Sequence, residues 1–497
     1  VNLWIKHSQR YPTVAEKIAG IERVDRFCME NDLHWISNLE GANWLKTFVD
    51  DKGRDWYNRP DGRHFELMPD DVLEAYGRSA RLLGIMYDEP AHMQNCRNMI
   101  ANNQTPLAPW IYDPGGESLE QAADRFASAV REIADIHARH GLTLYTEHVF
   151  PILFHGFARG GWTPGAKVLK EGWSPVYIAT LLGACVQYDK PLWLTPDLWH
   201  ASKYPGHSVE TYRSSLLLAY HMGAYGIYTE NLAHDQNKAG KGSLILVTGD
   251  DYELTDYGRA TGSFIRDYVP GHPRGYSALD VRPRVAIVRQ PDACWGQKGS
   301  WLGDRLFGND AWSSTPVTEG WLKVWHLLTL GVVPEAGISW WATYREWGPN
   351  RIHKPPYRLL CPVDGVVVYD HHVRSEHLRD TELIFLTGLG ISPGGIEAVA
   401  ARVREGATCI AMPHLVPDSI RRAGGEDAPV PDGRGQWLVT DDFLSTPVRE
   451  AVAPYLPEPD TIHYRFGDMD VTFRAVDGDP NRLRVDMTRS TDSDPGR

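Results

Sequence analysis

The sequence predicts an α/β protein: a (β/α)8 TIM barrel, then a second, doubly wound α/β unit, then a small C-terminal β module. Three observations predict it. Helical segments alternate with short apolar runs over the first ~270 residues, the pattern of βα units around a parallel sheet. The apolar runs are nearly continuous, so the strands are buried on both faces. Near the C-terminus the pattern changes to a period of two, which marks strands with one wet face. The chain has 497 residues, and at roughly 100–200 residues per domain that length fits three units.

In order, residues 12–30 read as a helix and His34–Asn38 as the strand after it. Residues 70–83 open on Asp70 and Asp71, acids that suit the positive end of a helix dipole, and a strand follows at 83–87. Residues 118–140 form the clearest helix. Ser118 and Gln121 have capping-box spacing, and Leu119, Phe126, Val130, Ile133 and Ile136 mark one face. A strand at 142–145 follows Gly141. A helix near 175–188 precedes a strand at 191–195. A helix at 208–222, stopped at Gly223, precedes a strand at 224–228. Residues 255–268 read as the helix that closes the barrel. An open doubly wound sheet is the alternative for this first unit. It would usually carry a Gly-rich phosphate loop after its first strand, and the chain holds neither GxGxxG nor GxxxxGK[ST].

Pro and Gly residues at 269–275 end the first unit. A second α/β pattern starts at Arg284: strand 285–288, helix 317–330, strand 332–338, strands 365–369 and Leu383–Thr387, helix 393–405, strand 407–412. Residues 413–460 are rich in Pro, Gly and Asp and read as a link. Ile462, Tyr464 and Phe466, then Val471, Phe473 and Ala475, alternate with polar residues around Gly467-Asp468, a hairpin pattern. The units are therefore 1–275, 276–415 and 416–497, the last being linker and β module. Residues 490–497 are expected to fray.

Composition narrows the function. Hydrophobic residues at 42% and charged residues at 23% are globular values, which excludes a disordered or fibrous chain. No apolar run approaches the ~20 residues of a membrane helix. The net charge of −13 argues against nucleic acid or an anionic membrane as partner. Cys28, Cys96, Cys185, Cys294, Cys361 and Cys409 form no CxxC pair and read as buried free thiols. The N-terminus lacks a leader pattern, so a cytoplasmic location is expected, although a removed leader would leave no trace. The 18 Trp and 22 Tyr outnumber the 13 Phe, and aromatics with a polar edge suit stacking surfaces such as sugar clefts as well as cores.

In a barrel the chemistry sits at the C-terminal ends of the strands. There the sequence places acids repeatedly: Glu40 just past Asn38, Asp88-Glu89, Glu147-His148, Asp197, and Glu230-Asn231. Acids are depleted in strands, so their recurrence suggests a ring of carboxylates on one rim. Two carboxyl groups can serve as acid and nucleophile at a glycosidic bond. Several acids with His148, His155, His200 and His234 could instead form a hard-ligand metal cage, but no HxH or HExxH occurs, and no metal or other cofactor is expected. For each acid the plain alternative is a salt bridge or helix cap. Tyr145-Thr146-Glu147 and Tyr228-Thr229-Glu230 echo one another. Glu147 is the expected acid/base, kept protonated by His148 or by an apolar setting from Tyr145 and Phe150. Glu230 is the expected nucleophile, and Glu89 and Asp197 are the reserve pair. Asp88, Glu40, Asn38, His148, Asn231, Trp199, Trp193 and Tyr228 are the expected substrate contacts. Trp35, Trp44, Trp162, Trp173, Trp340, Trp341 and Trp347 are sugar platforms or core. Asp370-His371-His372 is a ligand cluster or a polar turn. A Schiff-base enzyme needs a lysine on a strand, and the predicted barrel strands hold no interior lysine after Lys6.

Gly223-Ala224-Tyr225-Gly226-Ile227-Tyr228 after a helix, 284–290 opening the second unit, and then 381–390 and 406–412 carry a family likeness. The chain resembles clan A glycoside hydrolases, and its order of units is similar to that of family 42 β-galactosidases. The resemblance implies a catalytic barrel, a flavodoxin-like domain that trimerises, and a small β domain. It also implies an acid/base after strand four and a nucleophile after strand seven. Counting residues 1–5 as strand one puts Glu147 after strand four. Counting back from the closing helix makes 224–228 strand eight, with Glu89 and Asp197 after strands four and seven. The clan's usual Asn before the acid/base is absent in both counts, since Thr146 and Asp88 stand there. The expectation is a glycosidase, retaining in mechanism, acting on a neutral carbohydrate as a homo-oligomer, with a trimer favoured. A non-catalytic carbohydrate-binding barrel and a metal-assisted sugar isomerase or aldolase are the alternatives.

Overall fold

The computed structural model describes residues 2–5, 13–38, 68–95, 111–148, 150–169, 173–198, 207–230, 233–235, 242–249, 251–294, 306–335, 358–423 and 428–490. The first unit contains β1 Asn2–Ile5, β2 His34–Asn38, β3 Leu82–Asp88, β4 Leu144–Glu147, β5 Gly165–Val168, β6 Trp193–Pro196 and β7 Gly226–Ile227. They lie parallel and in chain order, as a β1-β2-β3-β4 ladder and a β5-β6-β7 ladder. Parallel bridges Tyr145–Thr163 and His148–Ala166 join the two ladders. Between the strands run α1 Val14–Glu30, α2 Asp70–Gly77, α3 Pro90–Asn95, α4 Leu119–Ala138, α5 Phe154–Arg159, α6 Ser174–Tyr188 and α7 Val209–His221. Caps set several of the helix starts. Thr13 Oγ1 accepts from the Glu16 N–H at 3.2 Å, Ser208 Oγ from the Thr211 N–H at 3.1 Å, and Gln121 Oε1 from the Ser118 N–H at 3.4 Å, each satisfying an otherwise orphaned backbone donor.

Of the elements that were not expected, one bears on the site. The strand β5 follows a helix of only six residues and carries Lys167 in its interior. This corrects the expectation that the barrel strands hold no interior lysine. It also changes the strand count: Glu147 ends β4, and Glu230 follows β7 rather than an eighth strand.

Beyond β7 lie β8 Ala233–Asp235, β9 Ile245–Thr248 and β10 Asp251–Leu254, a small sheet. Helix α8 Asp256–Ser263 follows, capped by Thr255. The next sheet contains β11 Val285–Arg289, β13 Val366–Asp370, β14 Leu383–Thr387, β15 Thr408–Ala411, β16 Pro429–Asp432 and β17 Gly435–Val439, with α9 Pro316–Leu328 and α10 Pro393–Arg404. Its strand order is β13-β11-β14-β15-β17-β16, parallel except for β16 against β17. The sheet therefore continues past 415, into the stretch read as a link. Pro429 and Pro431 are tolerated because β16 is an edge strand, and Trp437 of β17 is fully buried. The strand expected at 332–338 does not form over 332–335, and 336–338 lie outside the described residues. The last sheet is β12 Val363–Asp364, β18 Thr461–Phe466, β19 Met469–Val476 and β20 Asp479–Arg489, with the hairpin turning at Gly467 in left-handed backbone.

The second sheet packs on the helices of the first unit. Gly183 of α6 lies so close to Val368 that a Cβ there would sit 1.6 Å from its carbonyl oxygen. His155 Nε2 meets Val368 O at 2.9 Å, and Gln187 and Tyr188 both donate to Asp370. His371 and His372 reach Asp124 of α4 at 3.2 and 3.1 Å, and Arg159 reaches the same carboxylate oxygen at 2.6 Å. The polar turn after β13 is thus a contact between units. Cys28, Cys185, Cys294, Cys361 and Cys409 are free and buried; Cys96 lies outside the described residues. No described helix is long and apolar enough to cross a membrane.

Candidate active site

Side chains two residues apart on a strand share a face, and that rule builds the site. Ile36, Met86, Tyr145 and Trp193 form an apolar cluster separate from the main core, with Leu83 and Tyr228 packed on it. Two residues beyond Ile36 comes Asn38; two beyond Tyr145, Glu147; two beyond Tyr228, Glu230; four beyond Trp193, Asp197. The repeated Tyr-Thr-Glu is one register rule applied twice, an aromatic in the floor and a glutamate in the layer above it.

At the centre stands Lys167. Its Nζ lies 2.7 Å from Glu230 Oε2, 2.9 Å from Glu89 Oε1, 3.3 Å from Glu147 Oε1 and 4.0 Å from Asp197 Oδ2. Lys167, Glu147, Asp197 and Glu230 are buried, and the Glu89 side chain is 14% exposed. Glu89 and Glu230 rise two strand spacings, ~10 Å, to either side of β5, farther than a glutamate side chain spans. Their contact with one nitrogen requires the layer to curve around Lys167.

Local backbone aims these groups. Glu89 has φ 50°, and its N–H donates to Glu147 O at 3.0 Å. Leu169, just past β5, has φ 67°. Left-handed backbone at a bulky residue is costly and gathers at functional sites. Tyr228 donates its hydroxyl to Glu147 Oε2 and lies 3.1 Å from Met86 Sδ. Burial, then the Glu147 charge, push the Tyr228 phenol well above its ordinary pKa, so it remains a proton donor. Asn38 is fully buried and its amide has no hydrogen-bond partner among the described residues; the same holds for the Trp193 indole N–H. Buried polar groups are nearly always paired, so both suit contact with a bound molecule.

The structure brings together Glu89, Glu147, Asp197, Glu230 and Tyr228, and sets Asn38 and Trp193 in the same layers. His148 does not join them. As the next residue along the strand it faces the opposite way, with its ring against Phe154 and Phe157 and its Nε2 2.6 Å from Thr146 Oγ1. Trp35 and Trp162 are core residues, their indoles donating to Asp25 and to Val130 O. The backbone of Asp88 pairs with that of Glu147. Glu40, Asn231, Trp199, Trp44, Trp340, Trp341 and Trp347 lie outside the described residues. The residue that sequence reasoning missed is Lys167. Its signal was the run Pro164-Gly-Ala-Lys-Val, short and only half apolar.

No family model and no curated protein matches the sequence. Among solved structures, the chain is similar to a catalytic mutant of a GH42 beta-galactosidase from G. stearothermophilus, at 11% identity over 92% of this chain and 84% of that one, TM-score 0.46. It is also similar to an exo-beta-1,4-mannosidase from Opitutaceae bacterium strain TAV5, at 12% identity over 92% and 90%, TM-score 0.44. A Cellulomonas fimi endo-beta-1,4-mannanase shares 14% identity over 50% and 59%, TM-score 0.29. All three are glycoside hydrolases.

Proposed function

We propose that the chain is a glycosidase built on a (β/α)8 barrel and that Glu147 and Glu230 cleave a neutral glycoside with retention. The observation that carries this reading is the convergence of four strand-end carboxylates above an aromatic floor. Glu147 Oε1 and Glu230 Oε2 contact the same nitrogen, at 3.3 and 2.7 Å. These oxygens are therefore at most ~6 Å apart, a spacing within reach of the ~5–5.5 Å that separates the carboxyl groups of retaining pairs. Four carboxylates against one ammonium leave the site anionic, which suits an oxocarbenium-like transition state. Glu230, nearer the ammonium, is the ionised nucleophile. Glu147, more loosely held, is the acid/base, and Tyr228 steadies its other oxygen. Asn38 and Trp193 offer hydrogen bonds to sugar hydroxyls. Among the described residues, Glu147 ends the fourth strand and Glu230 follows the seventh, which supports the clan A pattern of an acid/base after strand four and a nucleophile after strand seven.

Lys167 raises a second reading, a Schiff-base aldolase. That chemistry needs a lysine freed of its proton by an apolar or cationic setting. Lys167 has the reverse setting, carboxylates within 4.0 Å from four strands, so the glycosidase reading is preferred.

The test is a panel of 4-nitrophenyl glycosides with wild type, Glu147→Gln and Glu230→Gln. The expected outcome is release of nitrophenol by wild type and losses on the order of 10²–10⁴-fold in kcat for Glu147→Gln, with Glu230→Gln at least as impaired. Near-normal turnover in both variants would overturn the assignment. Borohydride trapping of a keto sugar on Lys167 would establish the aldolase instead.

A further inference from the structure

We propose that Lys167 is the internal counter-ion of this site: a positioning residue whose ammonium gathers the four carboxylates and fixes how many protons they hold. The link to turnover rests on the glycosidase reading, but the charge role belongs to the folded protein itself.

The placement of Lys167 is specific. It stands on β5, with Glu89 and Glu147 arriving from β3 and β4 on one side and Asp197 and Glu230 from β6 and β7 on the other. Two residues earlier on the same face is Gly165, where a Cβ would sit 2.8 Å from Thr146 O; the lysine rises beside that gap. Its side chain is 2% exposed, so water supplies little of the solvation an ammonium needs, and the carboxylates supply it instead. On and just past the surrounding strands, the other titratable residues among those described are Tyr87, Asp88, Tyr145, His148 and Tyr228. Tyr87 meets His137 in the core, and Tyr145 lies in the apolar floor. Tyr228 is a neutral donor to Glu147, and His148 faces Phe154 and Phe157 on the opposite side. Within the cluster, the Lys167 ammonium is the charge that all four acids share.

Removing the cation leaves like charges crowded in a buried space. Such groups answer by taking up protons, as two carboxylates sharing a site do. A carboxyl whose folded pKa is raised this way is at ease at low pH, and its contribution to stability is lost as pH rises through that value.

The experiment uses the full chain without substrate. Lys167→Met is compared with wild type by thermal melting from about pH 4.5 to about pH 8, across the titration range of crowded carboxyls, and by capillary electrophoresis at neutral pH. The expected melting-temperature gap is small at the acid end and widens as pH rises, and adding Glu89→Gln narrows it at neutral pH. The net charge of Lys167→Met should match that of wild type, because a carboxyl takes up the proton the lysine no longer carries. Lys167→Arg should melt and migrate like wild type. A role in packing alone predicts a gap constant with pH, no rescue by Glu89→Gln, and one extra negative charge, and any of these results overturns the proposal. If Lys167→Met does not fold, Lys167→Met with Glu89→Gln and Asp197→Asn should fold, and its failure would also overturn it. A protein that meets these expectations yet cleaves no glycoside would refute the proposed function and leave the counter-ion role standing.

Discussion

His137 and His155 carry a pH dependence that can be worked out in sign. Burial lowers both imidazoles to a pKa of about 4. His137 Nε2 lies 2.9 Å from the Tyr87 hydroxyl, and His155 holds Val368 O. A histidine whose folded pKa is depressed contributes stability that is present above its ordinary value near 6.5 and is lost as pH falls toward the folded one. Each should cost about 2 kcal/mol by about pH 5. Urea unfolding at pH 7 and pH 5 measures this, and equal stabilities would contradict it. At the same scale the sequence told part of the site. Glu147 and Glu230 were legible because an acid at a strand end is unusual. Lys167 was not, because its contacts come from neighbours on four other strands, which no local pattern records. His148 was misread for a related reason: adjacency in sequence puts it on the wrong face of the strand.

Among the elements, the long helices were legible from their period and caps, and the shortest pieces were not. Strand β5 has four residues, and of these only Ala166 and Val168 are the apolar kind that marks a buried strand. Helix α2 stops at Gly77 rather than continuing to 83, because the chain there runs against the His140 carbonyl, where a Cβ would sit 2.2 Å away. Strand β16 hid behind prolines that edge geometry permits, and β17 behind the glycine that opens it. Gly183 in α6 allows a test with an inverted sign. Alanine in place of a mid-helix glycine usually stabilises by about 1 kcal/mol. Here its methyl would collide with Val368 O, so either the helix or β13 must move. The expected net effect of Gly183→Ala is a loss of about 2 kcal/mol, in line with overpacked cores, read from the urea midpoint at unchanged slope. A stabilised variant would mean that the two elements separate readily.

At the scale of the whole molecule, buried contacts tie the first unit to the second sheet. Buried His155, Gln187 and Asp370 join them in one direction and Asp124, His371 and His372 in another. Ser214 Oγ accepts from the Leu483 N–H at 2.9 Å, tying the last sheet to α7. Helix α6 is buried from Ser174 through Cys185 and again at Gln187. A helix packed on a parallel sheet ordinarily keeps one side for water; in this one only Val186 and Tyr188 are even partly exposed. Cutting the chain near residue 275 would therefore not release a self-sufficient unit. It would uncover a greasy cylinder on the outside of the first unit, and the fragment 1–275 should precipitate or bind a hydrophobic dye while the full chain stays clear. Scanning calorimetry of the intact protein should accordingly show one peak for the first unit and the second sheet, not two. Evolution or an engineer seeking to swap the second unit for another would have to rewrite the outer side of this helix first.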